Sequence, residues 1–112
     1  LMERCVALED EGIARERLAI DRGVGFGKSV GHNMTMLAHF HKFCMHDMPV
    51  VAGLSRKSSL GAITGKDTQH RQAASVAAAL IALERGAKIL RVHDVSETID
   101  AVKIWVATQD CL

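Results

Sequence analysis

The chain has 112 residues, 48% of them apolar, with 14 Lys and Arg against 13 Asp and Glu. That length holds one domain with a modest core. The formal net charge of +1 excludes the strongly basic surface of a dedicated nucleic-acid binder and an acidic disordered tail.

Met2, Cys5, Val6 and Glu9 sit at helical spacing and Gly12 follows, so residues 1–11 are predicted as a helix. Residues 13–17 form a charged connection. Leu18, Ala19 and Ile20 make a short apolar strand that ends near Asp21. Gly23, Gly25 and Gly27 then crowd one loop, which needs unusual backbone angles or lets the backbone approach a ligand closely. Ser29 is placed to cap the next helix, whose apolar face runs through Val30, Met34, Leu37, His41 and Cys44 and which must stop before Pro49. Residues 50–54 are apolar and too short for a helix, so they read as a buried strand. Ser55, Arg56, Lys57 and Ser58 come directly after it. A glycine-punctuated stretch, Gly61 to Gly65, leads to Asp67 or Thr68 as a cap for an Ala-rich helix over residues 73–83, closed by Gly86. Residues 88–92 form a third strand ending at His93. Asp94 and Glu97 have capping-box spacing, and Val95, Ile99, Val102 and Val106 mark the apolar face of a last helix.

The predicted order is α-β-α-β-α-β-α, with strands about 32 and then about 38 residues apart. Such alternation means parallel strands joined by right-handed crossovers. Eight units of that size make a roughly 250-residue TIM barrel. Three strands and four helices are too few to close one, and an independent three-stranded sheet would leave two parallel edges exposed.

Ligands in parallel α/β proteins bind at the carboxyl ends of the strands. Here those ends carry Asp21, the Ser55-Arg56-Lys57-Ser58 segment, and Arg91 with His93. Arg91 and His93 alternate with Val92 and are expected on one side, where an Arg and a His form an anion site. The glycine loop is no P-loop: Gly27-Lys28-Ser29 would require glycine where Arg22 stands, and Lys28 breaks the dinucleotide pattern. Of His39, His41, Cys44 and His46, His39 and His41 face different ways on a helix and Cys44, though three residues from His41, lies on the apolar face, so the histidines read as solvated helix residues. Cys5, Cys44 and Cys111 are odd in number and widely spaced, which points to free thiols in a reducing cytosol. No apolar run approaches the roughly 20 residues that span a bilayer. The opening Leu1-Met2-Glu3-Arg4 is neither a signal nor a transit peptide and reads as an excerpt from a longer protein.

Asp21-Arg22-Gly23-Val24-Gly25-Phe26-Gly27-Lys28 with His32-Asn33, then Gly53-Leu54-Ser55-Arg56-Lys57-Ser58, then Arg91-Val92-His93-Asp94, resemble in order and spacing the signatures of dihydropteroate synthases. The resemblance covers essentially the whole chain. It implies the C-terminal part of a TIM barrel, residues 1–112 running from the fifth helix through βα units six to eight with no second domain. It implies a transferase of folate biosynthesis, joining 6-hydroxymethyl-7,8-dihydropterin diphosphate to p-aminobenzoate with Mg2+. The implied substrate-binding residues are Asp21, Gly25, Phe26, Ser55, Lys57, Ser58, Arg91 and His93, of which Lys57, Arg91 and His93 are catalytic. Asp21 would take the amidine-like edge of the pterin and Lys57 its carbonyl and ring nitrogen. Arg91 would stack on the pterin and, with His93, meet the departing diphosphate. Phe26, Ser55 and Ser58 would shape the p-aminobenzoate side, where sulfonamides compete. No metal ligand is expected in this chain, because the family's metal-side asparagine stands near the first barrel strand. The family usually has proline where this chain has Arg22, which adds a charge beside Asp21. A cytoplasmic homodimer, binding neither nucleic acid nor membrane, is implied for the full-length protein, and little synthase activity for this chain alone. The alternatives are a pterin-binding barrel serving a methyltetrahydrofolate methyltransferase, and a non-catalytic half-barrel module.

Overall fold

The computed structural model describes residues 4, 7–8, 10–12, 19–21, 29–44 and 48–112. The elements in chain order are β1 (Ile20–Asp21), α1 (Val30–Ala38), β2 (Val50–Ala52), α2 (Ser58–Thr64), α3 (Gln72–Glu84), β3 (Ile89–Leu90) and α4 (Val95–Gln109). The strands form one parallel sheet in the order β1-β2-β3. Ile20 pairs with Val50 and Asp21 with Val51, while Val51 pairs with Ile89 and Ala52 with Leu90.

In aligned parallel strands, paired residues share a face and successive residues alternate. One face therefore carries Ala52 and Leu90, together with Val50; the other carries Asp21, Val51 and Ile89. Val50 and Ala52 are buried against the helices, in a core with Leu37, Phe40, Leu54, Leu60, Ala78, Ala82 and Ala87. Phe40 and Ala82 are fully enclosed, and Phe40 meets Phe43 edge to face with ring centroids 5.8 Å apart. Alanine on α3 lets that helix lie close to the sheet, with Ala78, Ala79 and Ala82 all buried.

Several boundaries differ from the sequence expectation. Ser29 does cap α1, accepting from the His32 amide at 3.1 Å. The α-helix ends at Ala38, however, and Phe40–Cys44 continue as a 3-10 helix. That tighter turn buries Phe40, which overrides the smooth helical face drawn through His41 and Cys44. The stretch from Gly61 to Gly65 is no connection: Ser58–Thr64 is a helix, closed by Gly65 at φ 75°. Asp67 does not cap the Ala-rich helix. It precedes a 3-10 turn, Thr68–His70, where its carboxylate meets His70 Nδ1 at 2.6 Å; α3 starts only after Arg71. The second and third strands are shorter than residues 50–54 and 88–92. The helix predicted over residues 1–11 lies largely outside the described residues; its end is described, with Glu11 donating to Ala7 at 3.1 Å and Gly12 at φ 98°. Among the described residues no helix is long and apolar enough to cross a membrane.

Candidate functional site

Three polar pairs stand at the carboxyl ends of the strands. Asp21 closes β1, and its Oδ2 accepts from Arg91 Nη1 in an ion pair that leaves both side chains partly exposed. Arg91 follows β3 by one residue, its amide donating to Ala52 at 2.9 Å. By two-residue alternation, Gly53 and Arg91 prolong the face of Asp21, Val51 and Ile89 beyond the strands. The Arg91 guanidinium lies across Gly53, where any Cβ would overlap it. Gly53 is thus a site residue that the sequence reading left without a role.

The second pair joins the loops after β2 and β3. Ser55 is buried. Its Oγ accepts from the His93 amide at 3.1 Å and lies 2.9 Å from His93 Nδ1. Lys57 sits two residues on as the N-cap of α2. Burial pushes the Lys57 ammonium below the usual lysine value; nearby Arg91 lowers it further and Asp21 partly opposes this. Lys57 therefore shares an electrostatic neighbourhood with both members of the Asp21–Arg91 pair. Ser58 opens α2 and is exposed.

The third pair is Arg56 with Asp94. Asp94 precedes α4, but its side chain makes no capping bond to that helix. Its two oxygens instead take the Arg56 fork, Nη2 at 2.5 Å and Nε at 3.3 Å. A charged, bidentate partner outcompetes backbone amides for a carboxylate, so the expected capping box does not form. Arg56 holds the Asp94 carboxyl below the usual carboxylate range.

Asp21, Lys57, Arg91 and, through Ser55, His93 are thus brought to one rim. Gly25 and Phe26 lie outside the described residues, as does His46. The His39 and His41 rings are 6.3 Å apart at an exposed helix end, and the Cys44 thiol turns to the Phe40 carbonyl at 3.5 Å. Among the described residues no group of three or more His, Cys, Asp or Glu side chains could hold a metal ion. Asn33 of the His32-Asn33 pair is buried, and its amide donates to Ser59 Oγ at 2.7 Å, fastening α1 to α2.

The rim thus combines one carboxylate, two cations, an imidazole and a hydroxyl. It suits a heteroaromatic ring with a donor edge that carries an anionic group. Residues 1–93 match the family model described as pterin binding enzyme. The dihydropteroate synthase of Haemophilus influenzae is 54% identical over 97 residues, covering 87% of this chain and 35% of that protein. Two structures of Xanthomonas albilineans dihydropteroate synthase, one in complex with 7,8-dihydropteroate and one with 4-aminobenzoic acid, superpose with a TM-score of 0.92 at 51% identity. They cover 96% of this chain, which spans 42% and 40% of theirs. A match over most of its length, joined to a strand-end rim of this chemistry, shows that the chain belongs to the pterin-binding enzyme family.

Proposed function

We propose that the whole protein is a dihydropteroate synthase, a cytoplasmic homodimer in which residues 1–112 supply βα units six to eight of a TIM barrel. The observation that carries this is Arg91, bonded to Asp21 and laid over Gly53 at the carboxyl ends of the strands. In the reaction, the aryl amine of p-aminobenzoate forms a C–N bond to the pterin methylene carbon. The C–O bond to the diphosphate breaks, pyrophosphate leaves with the electron pair, and the nitrogen sheds a proton. An aryl amine needs no further activation as a nucleophile. Catalysis therefore falls mainly to charge stabilisation at the leaving group, by Arg91, Lys57 and His93. Asp21 accepts from the donor edge of the pterin, and Lys57 donates to its carbonyl. Ser55, Ser58 and Phe26 would shape the p-aminobenzoate side, and Gly25 would lie close to the pterin. Mg2+ would supply further charge on the diphosphate, held by residues outside this chain.

The chain spans well under half of the relatives it matches, so alone it should show little or no turnover. Segment exchange tests the proposal. The matching segment of the Haemophilus influenzae enzyme is replaced by this one and assayed for dihydropteroate and pyrophosphate. Turnover, lost by at least tenfold in Lys57→Ala and Arg91→Ala, is the expected result. A folded exchange protein that binds methyltetrahydrofolate but forms no dihydropteroate would refute it.

A further inference from the structure

We infer that the Arg56–Asp94 ion pair is a positioning device, which locks the loop after β2 to the loop after β3 and so aims Ser55, Lys57 and His93 at the rim. Arg56 touches none of the groups assigned to substrate. It stands between Ser55 and Lys57 with a backbone φ of 55°, and it is the non-glycine residue with positive φ among the described residues. That conformation costs a side-chain-bearing residue energy and persists only where the surroundings hold it.

The amide, the carbonyl and the guanidinium fork of Arg56 are each held. Its amide donates to Ser75 Oγ at 2.7 Å, and the Ser75 hydroxyl donates on to the Arg71 carbonyl at 2.6 Å. Its carbonyl accepts from Arg71 Nη1 at 3.1 Å. The Arg71 guanidinium reaches it by lying against Gly61, where a Cβ would overlap it. The Arg56 guanidinium grips Asp94, which is 8% exposed and adjoins His93 in the chain. Backbone bonds to α3 thus set the bend, and the side-chain fork fixes that bend to the residue beside His93. The Ser55–His93 bond spans the same two loops one residue away on each side, so the two cross-links share one geometry. A fork of two parallel bonds also fixes angle as well as distance, which a lysine in place of Arg56 would not do.

This proposal rests on Ser55, Lys57 and His93 being binding groups. Its test is read without ligand and stands apart from that premise. The His93 ring nitrogens of the 112-residue chain are followed by NMR above about pH 8, where an ordinary histidine is neutral. Bonding to Ser55 should give one dominant tautomer. Asp94→Asn is expected to return the ring to the tautomer mixture of a solvated histidine, while the Leu37 methyl signals keep their dispersion. Asp94→Glu, which can still accept the fork, should restore much of the single-tautomer pattern. Should Asp94→Asn unfold the chain, Arg56→Lys carries the test, since it keeps the charge but not the fork; loss of the pattern is again expected. Arg56→Gly separates the fork from the backbone, because glycine suits a positive φ. An unchanged His93 pattern in Arg56→Gly, Arg56→Lys or Asp94→Asn would overturn the inference.

Discussion

The two faces of the sheet are built to different degrees of closure. On the helix side Val50 and Ala52 are 1% and 4% exposed, enclosed by Leu37, Phe40 and the alanines of α3. On the opposite side Ile89 is 42% exposed, Val51 is half-buried, and the face ends in the Asp21–Arg91 pair. Around β2 the first face is closed by packing among the described residues, and Leu90 at its β3 edge is half-buried. The second carries polar chemistry at one end and open apolar surface behind it, which agrees with the proposed place of these strands in a barrel wall. Packing and polar chemistry are thereby separated: burial closes one face around β2, and the charged rim stands at the end of the other.

Truncation should expose that difference most strongly. Phe40→Ala empties a fully enclosed site and should cost about 3–5 kcal/mol, whereas Ile89→Ala on the open face should stay within about 1 kcal/mol; urea unfolding of the two variants measures the contrast. Equal losses would mean that both faces are packed alike. Acid sharpens the contrast next. Asp94 has its carboxyl held low in the folded chain by Arg56. Its contribution is therefore complete above the ordinary carboxylate value and is lost as pH falls through the lowered one. As pH falls below the ordinary carboxylate value the wild type should lose more stability than Asp94→Asn, read from denaturant midpoints across the acid range. Gly53→Ala should have the smallest effect on stability. The new Cβ displaces the far end of the Arg91 side chain, and a half-exposed ion pair is worth about 1 kcal/mol or less. The same change should weaken pyrophosphate binding by about tenfold, the loss of one charge-assisted contact.

The alternation of elements and the polar strand ends were legible in the sequence, because apolar runs, Ser29 and the glycines punctuate it. Other features were not. Gly61 inside α2 looks like a breaker, and only the packed chain shows that it gives the Arg71 guanidinium room. Asp94 has local capping spacing, yet its partner Arg56 lies 38 residues away. Gly53 follows an apolar strand unremarkably until β3 brings Arg91 over it. In each case a long-range contact outweighed a local preference, and such contacts leave no periodicity to read. The glycine loop with Gly25 and Phe26 was legible as a motif but lies outside the described residues.

The central claim is that the open face ends in an anion-binding half-site. Calorimetric titration of the 112-residue chain with inorganic pyrophosphate tests it most directly, comparing wild type with the Lys57→Ala, Arg91→Ala double variant. The account predicts saturable binding by the wild type, weakened at least tenfold in the double variant. A folded wild type that binds no pyrophosphate, or a double variant that binds it equally well, would contradict the account.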